Sequence, residues 1–139
     1  MNHIKEKWIS SKPSLLLQFL SFASSLTGLF FLVSLLSDNK NILSLVCLLV
    51  SISFVLFYLF SSCQISKFFL FLSPIFAMLS FCFLLWVSVY DITDFVQGIK
   101  MFGDPSHVPF DITSLICIFL TFLLETISLF FLKGAQNEK

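Results

Sequence analysis

Charged side chains are scarce in this chain. Of its 139 residues, 12% are charged and 58% are hydrophobic. A soluble domain of this length needs more polar surface than that, so the lipid bilayer is the expected solvent. The eight basic residues are all lysine, and the formal net charge is zero. Such a chain offers no bulk electrostatic attraction for nucleic acid, and we expect no nucleic-acid partner.

Catalytic and metal-binding motifs are also missing. The sequence contains no HExxH, no GxSxG, no phosphate-binding loop and no CxxC pair. Its four cysteines are best interpreted as small apolar side chains. His3 falls in the N-terminal tail and His107 in a loop, where neither belongs to a recognisable constellation. We therefore expect neither an enzyme nor a bound cofactor or metal.

Long apolar runs are present, and there are four of them. They cover residues 14–37, 42–62, 68–90 and 112–132 approximately. A helix needs about 20 apolar residues to cross the bilayer core. The first run is too long for the apolar part of a cleaved signal peptide, so we expect it to be retained. The sequence thus predicts one all-α integral membrane domain, in which four transmembrane helices form two hairpins of a small bundle.

The lysines predict the orientation of the spans. Six of the eight would lie on one side of four spans, whereas the opposite side collects five aspartates. Because cytoplasmic loops carry the excess of positive charge, both termini are predicted to be cytoplasmic. The loop 91–111 is then extracytoplasmic. We expect a bacterial plasma membrane, with a eukaryotic endomembrane as the alternative.

The extracytoplasmic loop has two features of its own. Apolar residues recur in it at helical spacing, which predicts a short amphipathic interfacial helix between the third and fourth spans: Ile92, Phe95, Val96, Ile99 and Phe102. Pro109 or Asp111 is expected to start the fourth helix, with Asp111 suited to an N-cap. Polar side chains mark a candidate loop surface, either an interfacial cap or a docking surface: Asp91, Asp94, Asp104 and His107. Together with Asp111 they could also gather around a divalent cation, although their spacing matches no known motif.

Small and hydroxylated residues form a stripe along each span. In the fourth span the stripe repeats every three or four residues: Ser114, Cys117, Thr121, Glu125 and Ser128. Such faces let membrane helices approach closely and hydrogen-bond across the contact. They predict either a self-packed bundle or a seam that binds another membrane protein.

Glu125 is the one charged residue inside a predicted span. An ionised carboxylate at that depth costs about 2.5–3.5 kcal/mol on insertion scales, which favours the neutral acid as a hydrogen-bond donor. Expected partners at similar depth are Ser21 and Gln18 in the first span, Tyr58 in the second and Ser73 in the third. Thr121, Ser128, Gln18 and Tyr58 complete the candidate buried polar site around Glu125.

Two functions remain open at this point. The first is a non-enzymatic accessory or assembly subunit that contacts lipid and another membrane protein or a second copy of itself. The alternative is a small proton-linked transporter, which would use Glu125 as a homo-oligomer. Glu125 discriminates between them: a dry, sealed carboxyl favours a structural role, and a carboxyl lining a wet cavity favours transport.

Overall fold

The four apolar runs fold into four long helices. The protein is described by a computed structural model, which covers residues 12–35, 41–61 and 65–137. The helices are α1 (Lys12–Ser34), α2 (Ile42–Phe60), α3 (Ile65–Gln97) and α4 (Val108–Asn137), and a 3₁₀ helix at Pro105–His107 precedes α4. Each of the four contains a stretch long and apolar enough to cross a membrane. The prediction of an all-helical protein with four potential membrane spans is confirmed for the described residues.

The interfacial helix expected between the third and fourth spans is not confirmed. Residues 91–97 instead continue α3, which has 33 residues and is about 50 Å long. The reason is local: the spacing of Ile92, Phe95 and Val96 keeps the helical period of the preceding turns. Nothing interrupts that period until Gly98, which ends the helix with a φ of 67°. Because the bilayer core is about 30 Å thick, α3 is long enough to extend beyond it.

Each helix buries a narrow stripe of small and polar residues. In α4 the buried positions follow one another at intervals of three or four residues: Val108, Asp111, Ser114, Ile118, Thr121, Glu125 and Ser128. The opposite faces carry large apolar side chains, and Phe30 and Phe130 are among the most exposed, at 69% and 72%. This distribution would be costly in water and is suited to lipid, which solvates the outer face as well as a protein interior would.

The four helices pack side by side, but not in the order of the chain. The most extensive contacts join α1 to α4, α2 to α3 and α3 to α4, whereas α1 and α2 touch less. Gly28 permits the close approach of α1 to α4, since a Cβ at this position would lie 3.3 Å from the Cβ of Cys117. All four helices contribute to one apolar cluster: Leu32, Leu48, Ile52, Leu84 and Ile118.

Candidate functional site

Glu125 is surrounded by serines from the other three helices. Its side chain is only 3% exposed. Oε1 of Glu125 accepts hydrogen bonds from the hydroxyls of Ser21 in α1, at 3.3 Å, and Ser51 in α2, at 3.4 Å. The hydroxyl oxygen of Ser51 is in turn 3.0 Å from that of Ser73 in α3. One carboxyl therefore links α4 to α1 and α2 directly, and to α3 through Ser51.

The second carboxyl oxygen of Glu125 has no hydrogen-bond partner. Oε2 is fully buried and unpaired. Within the described part of the chain, the one ion pair joins Lys100 to Asp104 in the loop between α3 and α4, so Glu125 forms no ion pair among these residues. Two hydroxyl protons converge on Oε1, and none reaches Oε2. This asymmetry suits a carboxylic acid whose own proton is on Oε2, because an ionised group would be buried without a countercharge.

A second polar layer lies about one turn away, between α1 and α4. The Nε2 of Gln18 donates to the hydroxyl of Ser128 at 3.1 Å, and the hydroxyl oxygens of Ser14 and Ser128 are 3.3 Å apart. Tyr58 of α2 is 2% exposed and lies beside the side chain of Gln18. Gln18 and Tyr58, both expected beside Glu125, thus belong to this layer with Ser128. The Oε1 of Gln18 is a further buried acceptor that lacks a donor.

Thr121 is buried on the same face of α4, but its hydroxyl bonds within its own helix. It donates to the carbonyl of Cys117 at 2.9 Å. Ser24 of α1 donates to the same carbonyl, also at 2.9 Å. The link between α1 and α4 at this level is therefore made by Ser24, whereas the hydroxyl of Thr121 is satisfied locally.

Asp94 fixes the segment that follows α3. Its Oδ2 accepts the backbone N–H groups of Met101, Phe102 and Gly103, each at 2.8 Å. Three backbone donors converge on one carboxylate oxygen, which folds the segment back onto the end of α3. Gly103 is needed for this approach, because a Cβ there would lie 2.7 Å from the Cα of Asp91. Asp94, expected as a loop surface residue, is 2% exposed and serves as an internal anchor.

Asp104 and His107 lie on the same loop but have different surroundings. Asp104 forms an ion pair with Lys100 at 2.9 Å and accepts hydrogen bonds from the hydroxyl and the backbone N–H of Ser106. The ammonium of Lys100 and these two donors hold the pKa of Asp104 well below its usual range. His107 closes the 3₁₀ helix and is partly exposed. Asp104 therefore caps the turn that leads into α4.

The carboxyl groups of Asp91 and Asp111 are neighbours, near the C-terminal end of α3 and the N-terminal end of α4. The sequence predicts that Asp111 caps the start of α4, but that helix begins at Val108, after the 3₁₀ turn. Asp111 is instead 0% exposed and lies beside Asp91 and the hydroxyl of Ser88. No donor reaches either of its oxygens in hydrogen-bond geometry. Asp91 is 8% exposed, and its Oδ1 accepts the N–H of Asp104 at 2.8 Å.

The divalent-cation arrangement considered for the loop is not formed. No group of three or more His, Cys, Asp or Glu side chains suited to a metal ion occurs among the described residues, which include the whole of 91–111. The physical reason is that Asp94 and Asp104 are occupied by backbone donors and Lys100. Only Asp91 and Asp111 are left together.

The sequence pattern identifies Glu125 and Ser21 but misses two parts of the site. Ser51 belongs to a recognisable polar stripe, yet its bond to Glu125 depends on how α2 and α4 align in depth, which periodicity within one helix does not contain. The pairing of Asp91 with Asp111 is missed because both stand at span ends, where aspartate has ordinary roles. Ser88 is three residues from Asp91, and Ser114 is three residues from Asp111. Both serines are buried, so they extend the polar stripes of α3 and α4 as far as the two aspartates.

Comparison with known proteins adds no assignment to this geometry. No protein-family model, no curated protein and no solved structure matches the chain.

Proposed function

We propose that this protein is a non-enzymatic accessory or assembly subunit embedded in a membrane. It presents an apolar surface to lipid and to another membrane protein. One observation supports this most: Glu125, the one charged residue inside a span predicted from the sequence, is enclosed within a single chain by Ser21 and Ser51. Several other serines likewise bond to one another or to backbone carbonyls inside the bundle: Ser14, Ser24, Ser44, Ser51, Ser73, Ser80 and Ser128. What remains for a partner is the Phe- and Leu-rich exterior.

The chain is proposed to cross the membrane as two consecutive hairpins, α1–α2 and α3–α4, with both termini in the cytoplasm, although α1 packs chiefly on α4 and α2 on α3. The lysine distribution supports this orientation. Six of the eight lysines lie in the tails and in the short loop near Lys67, which would be cytoplasmic, and only Lys40 and Lys100 would lie on the opposite side. The extracytoplasmic end of α3 and the following segment would then lie at the membrane surface. Their exposed apolar residues are suited to that interface: Phe95, Val96, Ile99 and Phe102. A bacterial plasma membrane remains our proposal for the location, and an endomembrane the alternative.

Mild-detergent purification of the tagged native protein tests the accessory role. The expected result is that a second membrane protein co-purifies at constant stoichiometry and that photocrosslinkers at outward positions such as Phe30 and Phe71 capture it. Crosslinkers at the buried positions Ser21 and Ser80 are the matched controls and should give intramolecular products only. A protein that purifies alone, and crosslinks from the outward positions to lipid only, would refute the proposal.

A proton-linked transporter is the second candidate, and the unpaired Oε2 of Glu125 is the observation that favours it. A buried carboxyl that holds one exchangeable proton is the minimal requirement for proton coupling. Because Glu125 is enclosed by its own chain, such a carrier would need this bundle to open rather than two copies to meet. In liposomes that contain the protein and an internal pH dye, the interior should acidify when a proton gradient is imposed. E125Q should abolish this acidification. If wild type and E125Q behave alike, this candidate fails.

A further inference from the structure

An aromatic pocket opens on the side of Asp91, at the extracytoplasmic end of α3. It has a volume of about 580 Å³ and is lined by Trp86, Val87, Tyr90, Asp91 and Phe102. Trp86 and Tyr90 are four residues apart, so they stand next to each other on one face of α3. Phe102 comes from the returning segment, which the three hydrogen bonds to Asp94 hold in place.

Asp91 supplies a carboxylate to this pocket, and no lysine or histidine of the described residues forms an ion pair with it. The N–H of Asp104 donates to Oδ1 of Asp91, and Asp91 is one of the residues that line the pocket. Its neighbour Asp111 is 0% exposed, and no donor reaches either of its oxygens in hydrogen-bond geometry. Lys100 is engaged by Asp104, and His107 lies near Asp111 without forming an ion pair in the described structure.

Two further buried hydroxyls lie on the same helix stripes as the two carboxyls. The hydroxyls of Ser88 and Ser114 are both 0% exposed and have no hydrogen-bond partner. Each lies three residues from one of the aspartates on the same buried stripe, and Ser88 adjoins Asp111. Two adjacent carboxyls repel each other when both are ionised, so a positive charge in the pocket would stabilise the charged form of the pair.

We propose that this pocket binds the ammonium headgroup of a zwitterionic membrane lipid. Aromatic walls with a carboxylate at the base are suited to an alkylammonium ion, because cation–π attraction and charge complementarity act together. The depth identifies a lipid as the source: Trp86 and Tyr90 stand at the end of the predicted span 68–90, where aromatic side chains meet lipid headgroups. Exposed Val89, Phe95 and Val96 extend the apolar surface beside the pocket, where acyl chains would lie.

Tryptophan fluorescence provides a direct test, because the chain contains only two tryptophans. In the variant W8F, Trp86 is the single reporter and stands in the pocket wall. The protein is reconstituted into phosphatidylglycerol vesicles with increasing fractions of phosphatidylcholine, and either lipid carries brominated chains that quench tryptophan on contact. We expect brominated phosphatidylcholine to quench Trp86 more strongly than brominated phosphatidylglycerol at equal mole fraction.

The variant D91N, in the same W8F background, removes the charge at the pocket base with almost no change in shape. Its preference for phosphatidylcholine should fall about fivefold to tenfold, as expected for a partly desolvated ion pair with a cation–π contact. D104N is the matched control, because it removes one carboxylate from the same loop but does not line the pocket. It should keep the wild-type preference.

The outcomes separate the proposal from its competitors. Equal quenching by the two lipids, or the same preference in D91N as in wild type, would overturn it. A saturable change in Trp86 fluorescence with millimolar tetramethylammonium, in vesicles that show no preference for phosphatidylcholine, would identify a soluble amine as the ligand and refute the lipid. Should D91N fail to fold by circular dichroism, F102L provides the same readout: a weakened preference supports the pocket, and an unchanged one refutes it.

Discussion

The hydroxyl of Ser21 donates to Oε1 of Glu125 across 3.3 Å, joining positions 104 residues apart in the chain. This contact connects the polar stripe of α1 with the buried carboxyl of α4. The same oxygen receives Ser51 from α2, so Glu125 cross-links three helices. A carboxyl in this position stabilises the packing of the bundle as long as it need not be ionised.

The substitution E125Q is expected to preserve the fold. Gln has nearly the shape of the neutral acid, and its carbonyl can accept from Ser21 and Ser51, so the free energy of unfolding should change by less than about 1 kcal/mol. E125A removes the acceptor and leaves both hydroxyls buried without it, which should cost about 1–3 kcal/mol. Reversible unfolding in mixed detergent micelles measures both. If E125Q is as unstable as E125A, the native group is ionised and the neutral assignment is wrong.

Gly28 should tolerate only the smallest side chain. A Cβ at this position meets the Cβ of Cys117 at 3.3 Å and the Cγ1 of Ile118 at 3.4 Å, so G28A requires α1 and α4 to separate by a few tenths of an ångström. We expect G28A to be mildly destabilising and G28L to lose about 1–3 kcal/mol through overpacking.

The same unfolding assay measures the two Gly28 variants, and Ala23 provides the control. Ala23 lies on the exposed face of α1, and A23L should stay within about 0.5 kcal/mol of wild type. Similar losses in G28L and A23L would show that close packing against α4 is not what position 28 requires.

The sequence contains enough to predict the helices and which faces they bury. Apolar length places the four spans, and a three- to four-residue period places Glu125 on the same face as Ser128 and Thr121. These are properties of one helix at a time. Ser21 can be identified as a partner because it is about as far from the start of the first predicted span as Glu125 is from the end of the fourth.

Relations between helices and backbone turns are where sequence reasoning fails. The link of Ser51 to Glu125 depends on the relative depth of α2 and α4, which shifts with tilt and loop length. The extension of α3 to Gln97 depends on Asp94 holding the next segment through three backbone N–H groups, which carry no side-chain signature. From the sequence alone, Asp111 is assigned to a helix cap. Its burial becomes evident only when α3 is known to extend through Asp91, which lies beside it.

Ser44 and Ser80 should contribute a measurable coupling between α2 and α3. Each hydroxyl lies 2.8 Å from the backbone carbonyl oxygen of the other residue, and the two hydroxyl oxygens are 2.9 Å apart. A double-mutant cycle with S44A and S80A should give a coupling energy of about 0.6 kcal/mol, the average for such pairs in membrane proteins, and at most about 1.7 kcal/mol.

Ser53 provides the control for this cycle. It is exposed on α2, and its hydroxyl bonds to the carbonyl of Leu49 in the same helix. A cycle that pairs S53A with S80A should therefore give a coupling energy near zero. Equal coupling in both cycles would mean that the Ser44–Ser80 contact does not join the helices in the membrane.

Gly98 and Gly103 should respond differently to alanine, although both flank the segment that returns from α3. Gly98 has a φ of 67°, and a Cβ added there would meet no atom within 4 Å, so G98A costs only the left-handed backbone conformation, about 1 kcal/mol. At Gly103 the added Cβ would lie 2.7 Å from the backbone N and Cα of Asp91, which are rigid parts of α3. G103A must therefore move the segment and break its hydrogen bonds to Asp94.

Amide hydrogen exchange should show Met101, Phe102 and position 103 losing protection in G103A and retaining most of it in G98A. Retained protection in G103A would show that the segment does not lie against α3 in the membrane.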